Sequence, residues 1–101
     1  MKKILTLSTA IILSTLASAS FAGDAAAGKG KSVTCAGCHG ANGISNNPMW
    51  PNLAGQKQAY LASALQMYRD GRRKNAMMSA MAKNLTDADI ANLAAYYANL
   101  K

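Results

Sequence analysis

Apolar positions fall at helical spacing in two stretches of the chain. Tyr60, Leu61, Ala64, Leu65 and Tyr68 recur with a 3.6-residue period, and Gly71 stands where such a helix would stop. Ile90, Leu93, Ala94 and Tyr97 repeat the pattern, flanked by Tyr96 and Leu100. A start signal precedes them: Thr86 as a hydroxyl cap, then Asp87 and Asp89 in the first turn. A third helix is predicted from an Asp24 cap to about Thr34, with Ala25, Ala26 and Ala27 as good helix formers. Gly28 and Gly30 inside it each cost about 1 kcal/mol against alanine, so another helix is expected to cross closely there. Residues 40–56 hold Gly40, Gly43, Pro48, Pro51, Gly55 and four asparagines, and read as a loop. Its apolar side chains, Ile44, Met49, Trp50 and Leu53, are free to lean on a flat neighbour. The segment with Met77, Met78 and Met81 lacks strong periodicity and is expected to run as a loop. There is no strand alternation and no internal repeat. The fold class is all-α, with three main helices and long loops.

The N-terminus has a different character. Lys2 and Lys3 precede a charge-free apolar stretch from Ile4 to Leu16, and Ser20-Phe21-Ala22 offers small residues before Gly23. This is the pattern of a secretory signal peptide. As a membrane anchor the stretch is short for a hydrocarbon core about 30 Å thick, and serine and threonine interrupt it. Residues 1–22 are therefore expected to be a cleaved signal peptide and residues 23–101 the mature domain. That domain should be exported to the periplasm, with no membrane span.

Composition then poses a problem. From Gly23 onward the large aliphatics are only Val33, Ile44, Leu53, Leu61, Leu65, Leu85, Ile90, Leu93 and Leu100, with no Phe. That is well under one residue in five, a level associated with disorder in a charged chain. A domain this small and this poor in core residues does not stabilise itself. Something else must supply apolar volume. The length also excludes a multidomain enzyme, a multi-span membrane protein and a large ligand-cavity barrel.

One motif supplies the answer. The two cysteines and the single histidine fall together as Cys35-Ala36-Gly37-Cys38-His39, and C-x-x-C-H is a c-type haem attachment signature. Two thiols three residues apart can add to the two vinyl groups of one haem. His39 then lies beneath the ring, where its imidazole can bind iron. Ala36 and Gly37 are small enough for close approach of the backbone. A disulfide here would close a loop too short to stabilise much. A thioredoxin-like pair needs a βαβ context that is missing. A zinc site lacks two further ligands. The haem is also the apolar body that nine aliphatics cannot replace.

With His39 used, the other face of the iron needs a different donor, and thioether sulfur is the obvious one. The methionines after residue 22 are Met49, Met67, Met77, Met78 and Met81. Met67 sits within a helical pattern and Met49 lies close to His39 in sequence. Met77, Met78 and Met81 cluster about 40 residues past His39, far enough for the chain to return across the second haem face. Spacing alone does not choose among the three, and the others are core filler or surface.

Taken in order, these stretches resemble the class I c-type cytochromes, specifically the small bacterial monohaem members and single halves of the periplasmic dihaem ones. The likeness runs from Gly23 to about Leu100. It rests on Gly23-Asp24 with Gly28, Cys35 to His39 followed by Gly40 and Gly43, and Pro51 to Gln56 with Tyr60-Leu61. Met77-Met78 and Leu85 through Ile90 to Tyr96 complete it. The resemblance implies a cytochrome c fold wrapped around one covalent haem c. It makes Cys35 and Cys38 the thioether cysteines, with Pro51 also at the cofactor, and Trp50 of the same loop is expected there as an apolar residue leaning on the haem. It makes His39 the proximal ligand, with the Pro51 carbonyl accepting from its other nitrogen, as outer partners of a ligand do. Gly28 would let the first and last helices cross, with Tyr96 packing there. The axial methionine of relatives lies seven residues before the leucine that opens the last helix. With Leu85 in that place, the resemblance selects Met78. The loop from Gly40 to Tyr60 is shorter than in mitochondrial relatives, so one haem edge should be more exposed.

The function implied is a periplasmic electron carrier, not an enzyme, that cycles a His/Met-ligated iron between Fe(III) and Fe(II) for respiratory partners. The alternatives are an electron-transfer subunit of an oxidoreductase complex, or a haem catalyst or gas binder with a displaceable Met. Residues 23–101 carry nine cationic and four anionic side chains. Arg72, Arg73 and Lys74 are consecutive, with Lys29, Lys31, Lys57 and Lys83 more dispersed. A basic rim near the haem edge would attract acidic docking patches on redox partners. A monomer is expected. Nucleic acid is a poor partner for an exported chain without a recognition module.

Overall fold

The computed structural model describes Lys3 and residues 23–101, so the expected signal peptide, residues 1–22, lies outside the described residues apart from Lys3. Among the described residues, five helices and no strand follow in order: α1 (Ala25–Lys31), α2 (Val33–His39), α3 (Gln58–Asp70), α4 (Ala76–Ala82) and α5 (Asp87–Ala98). The three main helices expected from periodicity and caps are α1, α3 and α5. The two short helices were not expected.

Three of the five starts are secured by a side chain. The Asp24 carboxylate accepts from the Ala26 and Ala27 amides and starts α1. Thr86 and Asp89 form a reciprocal capping box at α5. Asn75 Oδ1 accepts from the Met77 and Met78 amides and starts α4. At the far end of α3, Gly71 adopts the left-handed conformation and ends the helix. The first helical run continues beyond Thr34. Ser32 closes α1 and heads α2, its Oγ donating to the Lys29 carbonyl at 2.7 Å. The amides of Cys35 and Ala36 then donate to the Ser32 carbonyl, which carries helical pairing through to His39.

Helix α5 is the hub. It packs on α1 and on α3, while α4 packs on α3 alone. At the α1–α5 crossing, a Cβ on Gly28 would run into the Asn92 carbonyl oxygen and lie 2.8 Å from Tyr96 Cβ. The expected close crossing and the expected place of Tyr96 are both present. Gly30 has no part in it: nothing lies within 4 Å of where its Cβ would be. A second tie joins the same helices, because the Asp24 amide donates to Asn92 Oδ1 at 2.7 Å. The core is small: Leu61, Leu93, Ala94 and Tyr97, with Cys35, Leu53, Leu65, Leu85 and Leu100 against it. Residues 40–57 contain no helix or strand, and Gly55 N donates to the Tyr97 carbonyl to hold them on α5 at 2.9 Å.

Candidate functional site

Helix α2 presents the attachment motif. Cys35 and Cys38 lie three residues apart on one helix, which places both thiols on the same face. Both are free and half-buried. Cys35 packs against the apolar cluster of Leu61, Leu93, Ala94 and Tyr97. Burial pushes the Cys35 thiol up. Hydrogen bonds with Thr34 and Tyr97 pull it partly back, and the neighbouring Cys38 pushes it up further. Burial likewise pushes the Tyr97 phenol well above its ordinary value, with Cys35 as the next cause.

His39 ends α2 and is 6% exposed. Its Nδ1 lies 2.8 Å from the Pro51 carbonyl oxygen, so Nδ1–H donates and the ring is fixed. Nε2 has no partner among the described residues, and no buried side-chain nitrogen or oxygen is left without one. Nε2 therefore faces open space and keeps its lone pair. Immediately after His39, Gly40 turns the chain at φ 89°, where a side chain would be strained and would meet the Ile44 carbonyl. The returning loop is braced by Gly43, whose carbonyl accepts from the Leu53 and Ala54 amides. Asn52 Oδ1 also accepts from the Ser45 amide at 2.7 Å. These bonds deliver the Pro51 carbonyl to His39.

Trp50 is half-buried and lines a cavity of about 220 Å³ with Ala36, Gly37, Cys38, Gly40, Ala41, Asn46 and Asn47. It therefore sits beside the second cysteine. The three clustered methionines lie on α4 and not in a loop. Met77 and Met81 are 56% and 45% exposed, whereas Met78 is half-buried. Met49 is exposed in the 40–57 loop, and Met67 is half-buried on α3.

The donor set fits a covalently bound haem. Two unpaired thiols share a face, the next residue offers an oriented imidazole nitrogen, and the apolar cluster reaches the first thiol. Sequence reasoning missed Tyr97 at this site. Its side chain adjoins Cys35 and its carbonyl anchors the loop that carries Pro51. The available signal was only its place on the apolar face of α5. Arg69 was missed too. It reaches from α3 to the Leu85 carbonyl and the Asp87 carboxylate.

The charged surface is less free than the sequence suggests. Arg72 pairs with Asp70 at 3.0 Å. Arg73 reaches the Tyr60 hydroxyl and lies 4.8 Å from the Tyr68 ring centre. Lys31 pairs with Asp89. Lys29, Lys57, Lys74 and Lys83 have no carboxylate partner among the described residues. No helix there is long and apolar enough to cross a membrane.

Comparison with known proteins gives the family. The Cytochrome c family model matches residues 25–101. Cytochrome c-554(548) of Halomonas halodenitrificans is 52% identical over 81 residues, covering 77% of this chain and 98% of its own. The thiosulfate dehydrogenase electron acceptor of Thiomonas intermedia is 41% identical over 102 residues, covering all of this chain and 45% of its own. The crystal structure of reduced recombinant cytochrome c4 from Pseudomonas stutzeri superposes with a TM-score of 0.75 at 40% identity, over 79% of this chain and 47% of that one. The chain thus spans nearly all of the Halomonas protein and under half of the other two. It belongs to the cytochrome c family, as a class I electron-transfer cytochrome with one covalently bound haem c that is similar to one half of dihaem cytochrome c4.

Proposed function

We propose that residues 23–101 form a periplasmic electron carrier, freed from a signal peptide at residues 1–22, in which His39 and Met78 ligate the haem iron. When bound, the haem supplies a one-electron Fe(III)/Fe(II) couple, and Met/His ligation favours a raised potential. Cys35 and Cys38 would hold it through two thioether bonds. Pro51 holds the His39 ring through Nδ1, which sets its tautomer and orientation. Trp50 covers the edge beside Cys38. The observation that carries this reading is the pairing of Cys35, Cys38 and His39 on one helix with the Pro51 carbonyl on Nδ1. Met78 is supported by its offset from Leu85 and by its lower exposure than Met77 or Met81.

The Thiomonas relative is named as the electron acceptor of a dehydrogenase. That name supports a carrier that docks on redox enzymes. The lysines without carboxylate partners make an acidic partner surface the better match, chiefly through a faster encounter. Carbon monoxide tests the reading. With both axial positions filled by protein, the reduced holoprotein should show no spectral change under carbon monoxide. Rapid and complete binding would make it an open-site haem protein instead.

A further inference from the structure

Helix α4 has little to hold it in place. It is seven residues long, below the length at which a helix is stable alone. It packs on α3 and on no other helix, and Ala82 is its one buried residue. Yet it carries Met77, Met78 and Met81. Both of its flanks are fixed from around the end of α3. On the leading side, the Arg73 amide donates to the Met67 carbonyl at 3.1 Å. The Arg73 guanidinium donates to the Tyr60 hydroxyl at 3.4 Å and lies 4.8 Å from the Tyr68 ring centre. On the trailing side, Arg69 Nη1 donates to the Leu85 carbonyl at 3.2 Å and to Asp87 Oδ1 at 2.8 Å. Leu85 lies in the connection from α4 to α5 and Asp87 opens α5, so Arg69 ties the end of α3 to the segment that follows α4.

The geometry points to Arg69 and Arg73 as positioning residues that clamp both flanks of α4 and so hold the axial methionine on the iron. This rests on the Met78 reading above. The Asp87 side chain is 87% exposed, so solvent screens its ion pair with Arg69. The bond to the Leu85 carbonyl therefore carries most of the hold. A lysine does not replace it, because the flat guanidinium serves a carbonyl and a carboxylate together. Releasing the trailing clamp leaves the α1–α5 crossing and the apolar packing of α3 on α5 in place. It lets α4 lift, and the sixth position of the iron opens more often.

Imidazole titration of the oxidised holoprotein reads that opening. Imidazole binds only when the methionine is off, so its apparent affinity scales with the open fraction. Arg69→Gln should raise that affinity roughly three- to tenfold, Arg69→Lys should remain close to Arg69→Gln, and Arg73→Gln should also raise it. Asp24→Ala removes the cap of α1, which does not touch α4. It should lower the melting temperature and leave imidazole affinity unchanged. Arg69→Gln that melts lower but binds imidazole as wild type does would reduce the clamp to an ordinary structural contact and overturn the proposal. Met78→Ala separates the two ideas. If it keeps the sulfur-to-iron charge-transfer band, the Met78 reading fails. If it loses the band while Arg69→Gln keeps wild-type affinity, only the clamp fails. Should Arg69→Gln yield no holoprotein, Arg73→Gln carries the comparison, and no rise there refutes the clamp.

Discussion

Replacing Gly28 and Gly30 by alanine, one at a time, should move stability in opposite directions. Both lie in α1, and both gain about 0.5–1 kcal/mol of helix propensity from the change. At Gly30 nothing lies within 4 Å of the new methyl, so the gain stands alone. At Gly28 the methyl would overlap the Asn92 carbonyl, with its carbon at 2.5 Å and Tyr96 Cβ at 2.8 Å. Carbon atoms rest at about 3.5–4.0 Å, so the helices must part by about 1 Å. Overpacking costs about 1–3 kcal/mol. The upper end applies here, because the obstacle is backbone and cannot rotate away. The net loss is about 2 kcal/mol. A domain of this size shifts by about 4–8 °C per kcal/mol. Gly28→Ala should therefore melt roughly 10 °C lower, and Gly30→Ala a few degrees higher, by far-UV circular dichroism of the oxidised holoprotein. The displacement also reaches the site, since α1 runs into α2 across Ser32 alone. Equal shifts in the two variants, or a Gly28→Ala protein as stable as wild type, would refute the crossing argument.

Three further outcomes follow from the same structure. Asp89 is held below its ordinary value of 3.8, first by the Thr86 amide and also by the Thr86 hydroxyl and Lys31. A depressed carboxyl stabilises the fold above its unfolded pKa, and this is lost as pH falls through the folded one. Asp89→Asn should therefore melt lower at neutral pH and lose less on acidification below about pH 4, and parallel pH curves would contradict this. Cys35→Ser with Cys38→Ser should abolish covalent haem and leave amides poorly protected in hydrogen exchange, whereas a cooperatively folded apo chain would show that the haem is not the core. Lys74→Glu with Lys83→Glu should slow electron transfer to the physiological partner at low salt, with the defect shrinking as salt is added and the haem spectrum unchanged. Rates equal to wild type at every ionic strength would place the docking face elsewhere. Arg73 is unsuited to that test, since its side chain is already committed to Tyr60 and Tyr68.

Much of the fold was legible because its signals are local. The period of α3 and α5, the Gly71 stop and the Thr86–Asp89 capping box are all written in neighbouring residues. The close crossing at Gly28 was legible from its cost. Gly30 looked the same in sequence and does something different, because only the tertiary neighbour distinguishes them. Helix α2 was invisible beyond Thr34, since Cys-Ala-Gly-Cys has no apolar period and its contacts are made across space. Helix α4 was read as loop because Ala76–Ala82 is nearly uniform in polarity and has no face. Asn75 followed by alanine and methionine, a cap before good helix formers, was the overlooked cue. The Cys35–His39 motif was legible from its spacing. The arginine clamp was not, because Arg69 and Leu85 are remote in sequence and one partner is a backbone carbonyl.

The central claim is that His39 and Met78 ligate the iron of an electron carrier, and one series tests it most directly. The oxidised holoproteins of Met78→Ala, Met77→Ala and Met81→Ala should be compared for the sulfur-to-iron charge-transfer absorption. The account predicts that the band is lost in Met78→Ala alone and kept in the other two. Loss of the band in Met81→Ala or Met77→Ala, with Met78→Ala retaining it, would contradict the account.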